Sequence, residues 1–170
     1  MNIYFFDTSA LINDTELLNK TYGLLLIHNI VLDELDDKTE KSGIVGKNAR
    51  CVMDKLFQIS KRGNIHKGIN IGNGVVIKID NTKPNIDKLD FGLNENKHDN
   101  MILAVYNELF EKYKNDDIYF YTGDKCLSVK IENGIVKYIG KGEEQQKKKK
   151  QHFRKDTKIK KDNKTTYYNR

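Results

Sequence analysis

Cysteine and proline are scarce in this chain, and long apolar runs are missing. Its two cysteines, Cys51 and Cys126, lie far apart with no ligand-type spacing. That excludes a disulfide framework and a thiolate metal site, and it predicts a reducing, cytoplasmic setting. The longest aliphatic run, Leu24-Leu25-Leu26-Ile27, is far short of the ~20 apolar residues a membrane helix needs. No basic segment followed by an apolar run and a cleavage site opens the chain, so neither a signal peptide nor a membrane span is expected. There is no internal repeat and no G-x-x-x-x-G-K-[ST] phosphate loop. The single proline, Pro84, falls in a polar stretch from Asp80 to Lys97 that reads as a loop.

Positive charge is lacking where the pI of 9.1 suggests it should be. Residues 141 to 170 carry 12 Lys+Arg against 4 Asp+Glu, net +8, whereas residues 1 to 140 carry 18 against 20, net −2. The basicity belongs to the C-terminal segment, and a basic groove on the folded part does not follow from it. That segment contains Lys147-Lys148-Lys149-Lys150 and a Lys/Asn/Gln/Thr-rich remainder with little to bury. It reads as disordered, or ordered only on a partner. At 170 residues the chain is sized for one domain, here residues 1–140, followed by this appendage, residues 141–170.

What is present before residue 140 alternates. Ile3-Tyr4-Phe5-Phe6 reads as a buried strand leading into a helix capped near Thr8 or Ser9, and Leu24 to Ile27 as a second strand followed by a helix over 29–37. Ala49, Val52, Met53, Leu56 and Phe57 repeat at helical spacing between Lys47 and Lys61, with Gly63 as a stop. Ile69 to Ile71 and Val75 to Ile79 flank Gly72-Asn73-Gly74, a hairpin signal because Asn-Gly supplies positive φ. It reads as an insertion into the alternating core. Met101, Ile102, Val105, Leu109 and Phe110 stripe a helix starting near His98, Ile118 to Tyr121 is a third core strand, and a short helix over 125–131 precedes a last strand from Ile135 to Tyr138. Such alternation predicts an α/β fold, a central parallel sheet flanked by helices on both faces, with an inserted β-hairpin.

Four acids stand where these elements meet. Asp7 follows the first strand, Glu34 lies in the helix after the second, Asp99 opens a later helix and Asp124 follows the third core strand. In an open parallel sheet, ligands collect at the carboxyl ends of the strands. Like charges gathered there need a counter-cation, and hard carboxylates select Mg²⁺ or Mn²⁺. An ion of this kind activates water and steadies a phosphate, which is the chemistry of phosphodiester hydrolysis. Each acid also has a plain structural use: Asp7 and Asp124 suit caps or turns, and Asp99 suits the positive end of a helix dipole.

The chain resembles the PIN-domain ribonucleases at these residues. The likeness is closest to the PIN domain of PhoH-like proteins: Phe6-Asp7-Thr8-Ser9-Ala10-Leu11-Ile12, Val31-Leu32-Asp33-Glu34-Leu35-Asp36, Lys47-Asn48-Ala49-Arg50, the glycine-containing hairpin, Asp99-Asn100-Met101-Ile102-Leu103-Ala104-Val105 and Thr122-Gly123-Asp124-Lys125, over roughly residues 2 to 140. The resemblance implies a PIN-like fold and Mg²⁺- or Mn²⁺-dependent cleavage of RNA, with Asp7, Glu34, Asp99 and Asp124 as catalytic metal ligands. The chain departs from PhoH-like proteins in that a basic segment, not an ATPase with a phosphate loop, follows the domain.

Around the four acids, Thr8, Ser9 and Thr122 are candidate hydrogen-bond donors to carboxylates, and Asp36 a candidate supporting partner of Glu34. Asn48 and Arg50 begin a helix near the expected rim, where an Arg fork suits a phosphate. Lys38, Lys41, Lys97 and Lys125 are similar cationic candidates, and the four histidines show no ligand spacing. Single-stranded RNA is the expected partner, with the tail adding affinity by counterion release. A homodimer or higher oligomer is compatible with the chain, and nothing in it identifies a protein inhibitor. Two other readings compete. One is a non-catalytic RNA-binding module whose affinity comes from the tail. The other is a phosphatase with Asp7 as nucleophile, which ranks last because Ser9 stands where a second Asp would act as general acid.

Overall fold

The first strand is apolar at consecutive positions because it runs through the middle of a sheet covered on both faces. In this computed structural model, which describes residues 1–85 and 98–140, Ile3, Tyr4, Phe5 and Phe6 of β1 (Asn2–Phe6) are all buried. Short helices α1 (Thr8–Asn13) and α2 (Leu17–Lys20) lead to β2 (Gly23–His28), α3 (Asn29–Thr39) and α4 (Gly43–Ser60). A 3₁₀ turn, Ile65–Lys67, precedes β3 (Ile69–Gly72) and β4 (Val75–Asp80); α5 (His98–Lys112), β5 (Asp117–Thr122), α6 (Lys125–Lys130) and β6 (Ile135–Tyr138) follow.

The strands form one sheet in the order β3-β4-β2-β1-β5-β6. All neighbours are parallel except β3 and β4. β1 lies between β2, with Phe5 opposite Leu26, and β5, with Phe6 opposite Tyr121. On one face Phe5, Phe120 and Tyr106 of α5 interlock, with ring centroids 5.5 Å apart for Phe5–Phe120 and 4.9 Å for Tyr106–Phe120. Tyr4, Phe6, Leu25 and Ile27, next to them in their strands, are buried on the opposite face. The carboxyl ends of β1, β2, β4 and β5 therefore share one edge.

The hairpin read as an insertion into the alternating core joins the main sheet. β4 pairs in parallel with β2 from Gly23 opposite Val75 to His28 opposite Asp80, so the hairpin extends the main sheet. Its tight turn does rest on the expected residues, with φ of 104° at Gly72, 51° at Asn73 and 74° at Gly74. α4 starts earlier than its apolar stripe suggests, because its first turn exposes Ile44 while the buried stripe proper is Ala49, Val52 and Leu56. A compact unit spans Met1–Ile139. Most of the loop expected up to Lys97 and the basic segment from residue 141 lie outside the described residues.

Candidate active site

Asp7 leaves β1 in extended conformation (φ −83°, ψ 155°) and starts α1, with its backbone N–H held by the Tyr121 carbonyl at 2.9 Å. The side chain is 4% exposed. Its Oδ2 accepts from the hydroxyls of Ser9 and of Thr122, the latter at 2.8 Å. Burial pushes the Asp7 carboxyl above the ordinary carboxylate range; the Ser9 and Thr122 hydroxyls pull it back, and the charge of Glu34 adds to the rise. The same two hydroxyls work twice: Ser9 Oγ accepts from Gly123 N at 2.7 Å, and Thr122 Oγ1 from Asp124 N at 2.9 Å. Gly123 is fixed by this crowding, since a Cβ there would stand 2.3 Å from Asn13 Nδ2 and 2.9 Å from the Ile139 carbonyl.

Glu34 reaches the same corner from α3. Thr8 Oγ1 donates to Glu34 Oε2 at 2.8 Å, and Lys38, one turn on, stands 3.5 Å from Oε1. Asp124 caps α6, its Oδ1 accepting from Leu127 N at 2.9 Å. Asp99 lies in the first turn of α5. Its carboxyl is raised by partial shielding from water, then by the charges of Asp124 and Glu34, against which Lys130 and His98 act. The fold thus brings all four acids from separate elements into one electrostatic neighbourhood, through Glu34 with Asp7, Glu34 with Asp99, and Asp124 with Asp99.

The acids do not close into one ligand set. Among the described residues, no group of three or more His, Cys, Asp or Glu side chains is placed to hold an ion. The physical reason lies in their present partners: Glu34 is drawn to Thr8 and Lys38, Asp124 to the start of α6, and mutual repulsion opposes closer approach. The donors still fit a hard divalent cation in kind, being carboxylate oxygens with an excess of like charge.

The other candidates fare unevenly. Thr8, Ser9 and Thr122 all touch the acids. Asp36 is exposed on α3, where its carbonyl accepts from Thr39 Oγ1 at 2.7 Å. Asn48 Nδ2 donates to the Ile12 carbonyl at 2.7 Å, tying α4 to α1, and Arg50 donates to the Thr39 carbonyl. Arg50 and Lys47 line a groove of about 750 Å³ with Leu18, Cys51, Ile59 and Ile71, and none of the four acids lines it. Sequence reasoning passed over three residues that the fold brings into use here. His28, 4% exposed at the end of β2, accepts from Ile30 N through Nδ1 at 3.2 Å and caps α3. Asn100, 1% exposed, accepts from Lys130 Nζ at 3.4 Å. Only the strand-end position of His28 was visible beforehand; the Asn100–Lys130 contact depends on α6 packing against α5.

The chain is similar to known proteins over most of its described length. Protein PhoH2 of Bacillus subtilis (strain 168) is 29% identical over 108 residues, 63% of this chain and 24% of PhoH2, so the chain spans about a quarter of that relative. A solved domain of a functionally unknown protein from Methanocaldococcus jannaschii DSM 2661 has 18% sequence identity and a TM-score of 0.48, with 81% of this chain and 91% of that one covered. No helix among the described residues is long and apolar enough to cross a membrane. The family model of the PIN domain, whose members are generally nucleases, matches residues 4–137, and the chain belongs to the PIN domain family.

Proposed function

We propose that this protein is a divalent-metal-dependent ribonuclease that hydrolyses phosphodiester bonds of single-stranded RNA. The observation that carries the reading is the gathering of Asp7, Glu34, Asp99 and Asp124 from separate elements into one neighbourhood, where burial raises the Asp7 and Asp99 carboxyls and the acidic neighbours add to the rise. Those four carboxylates would hold Mg²⁺ or Mn²⁺, which when bound supplies an acidified water and charge compensation at the phosphoryl oxygens.

The chain's own residues prepare that site. Ser9 and Thr122 aim the buried Asp7 carboxyl and favour its charged form, against the burial that raises it. Thr8 holds Glu34 toward β1. Thr122 also fixes the backbone of Asp124, so one hydroxyl sets the spacing of two candidate ligands. The domain through residue 140 is net −2, so charge compensation at the scissile phosphate has to come chiefly from the bound ion.

Asp7→Asn tests the reading. The variant should fold as the parent does and lose Mn²⁺-dependent cleavage of a single-stranded RNA oligonucleotide by at least about a hundredfold. Undiminished cleavage in the variant would sink the assignment of the site, and a parent that binds the RNA without cleaving it would leave the non-catalytic RNA-binding reading.

A further inference from the structure

Two lysines flank the acid cluster, and they differ in what holds them. Lys38 stands 3.5 Å from Glu34 Oε1, an ion pair within one helix. Lys130, half-buried in the last turn of α6, has no carboxylate partner within 4.0 Å among the described residues, and its ammonium meets the neutral amide oxygen of Asn100 at 3.4 Å. Asn100 is 1% exposed and directly follows Asp99, so it fixes this cation at the edge of the cluster and outside the candidate ligand set.

We propose that Lys130 is a phosphate-binding residue, its ammonium held by Asn100 so that it donates to a non-bridging oxygen of an RNA phosphate at the acid cluster. An ammonium has three donors, and Asn100 takes one. The proposal rests on the ribonuclease reading and adds a residue to its substrate site.

Physical need and position agree. An RNA phosphate approaching four carboxylates on a net-negative domain is repelled, and a metal ion offsets that only where it binds. Lys38 can shift toward phosphate only by giving up Glu34. Lys130 gives up no ion pair, because its partner is neutral. Its charge acts on Asp99, which puts it within electrostatic reach of the cluster. A lysine suits this work as a compact, movable point charge.

The test separates a phosphate ligand from a mere counter-ion of the acids, using the full chain with Lys130→Met, Lys130→Arg and Lys38→Met. For Lys130→Met we expect KM for a single-stranded RNA oligonucleotide to rise about tenfold or more. Lys130→Arg should restore most of the loss. Binding of the same oligonucleotide, followed by fluorescence anisotropy in the Asp7→Asn background, should lose about 0.7 of the slope of log K against log salt, one single-strand phosphate contact. Lys38→Met should instead tighten Mn²⁺ binding with little change in KM. If Lys130→Met matches Lys38→Met, with tighter Mn²⁺ binding and unchanged KM and salt slope, Lys130 is a counter-ion and the proposal is overturned. Because the anisotropy needs no turnover, a parent protein that never cleaves RNA would refute the nuclease reading, while a reduced slope in Lys130→Met would still support the phosphate contact. A urea titration of each variant identifies loss of fold.

Discussion

The candidate site has two halves built on different principles. At the β1–β5 corner, Asp7, Ser9, Thr122, Gly123 and Asp124 are interlocked by side-chain and backbone hydrogen bonds between 2.7 and 2.9 Å, around a carboxylate that is almost fully buried. On the helix-borne side, Glu34 and Asp99 stand where α3 and α5 carry them; Glu34 has one hydroxyl and one lysine as partners, and Asp99 is raised first by partial shielding from water and then by the charges of Asp124 and Glu34. The first half is rigid before any ligand arrives. The second half has fewer hydrogen bonds to hold it, with one hydroxyl donor at Glu34.

Thr122→Val strikes the rigid half hardest. The substitution keeps the shape of the side chain but removes a donor to Asp7 and the acceptor for Asp124 N. A buried partner left unmade costs about 1–3 kcal/mol, and Asp7, with one fewer hydroxyl favouring its ionised form, rises further. Urea denaturation should show that loss of stability, and isothermal titration with Mn²⁺ should show weaker binding at pH 6 than at pH 8. Ser9→Ala should behave similarly, since Ser9 likewise donates to Asp7 and accepts from a backbone N–H, that of Gly123. Wild-type stability in both variants would mean the corner is not interlocked as described.

That contrast also governs what was legible in the sequence. Apolar runs such as Ile3 to Phe6 and the stripe of Met101, Ile102, Val105 and Leu109 follow local periodicity, so strands and helices could be read within a few residues. Asp7 and Asp124, adjoining strand ends, were placed by the same local rules. The hairpin itself was legible, but its place in the sheet was not, because that depends on β4 pairing with β2, some 50 residues earlier in the chain, and no local pattern encodes a pairing partner. Asn48 and Arg50 look like rim residues in sequence, yet three-dimensional packing offers them backbone carbonyls at Ile12 and Thr39. Lys130 was invisible for the converse reason: its meaning comes from α6 lying beside α5.

The second half should respond to charge where the first responds to hydrogen bonds. Glu34 raises both Asp7 and Asp99, whereas Asp124 acts on Asp99. Glu34→Gln should therefore lower both carboxyl pKa values in metal-free protein, and Asp124→Asn should lower that of Asp99, as read by carboxyl NMR titration. Salt should shrink the response of exposed Asp99 more than that of Asp7. The stability sign follows from the direction. A carboxyl raised in the folded state contributes stability below its unfolded value, near 3.8 for both, and that contribution is lost as pH rises through the folded value. Asp7→Asn should remove most of this loss and leave the metal-free domain more stable near neutrality, while Mn²⁺ should stabilise the parent there. A metal-free parent and Asp7→Asn with superimposable pH–stability curves would break the electrostatic half of the comparison.

The smallest effect tests how the helix-borne half is aimed. His28 Nδ1 accepts from Ile30 N at the start of α3, and Nε2 lies 2.8 Å from the Thr82 carbonyl. Those two partners require a neutral ring with its proton on Nε2. Burial lowers the His28 pKa below 6.5, although the Thr82 carbonyl and the charges of Asp80 and Asp33 oppose the shift. A depressed histidine contributes stability above its unfolded value and loses it as pH falls through the folded value. Protonation would also remove the cap of the helix that carries Glu34. His28→Asn keeps a capping oxygen without a titrating ring, so its stability should vary less than the parent's between pH 7 and pH 5; His28→Leu should lose about 1 kcal/mol at pH 7. Amide exchange at Ile30 and Val31 reports the cap directly. Acceleration in the parent at pH 5 but not in His28→Asn would tie the aim of Glu34 to one neutral imidazole, whereas equal exchange in both would leave α3 held by its packing on the neighbouring elements.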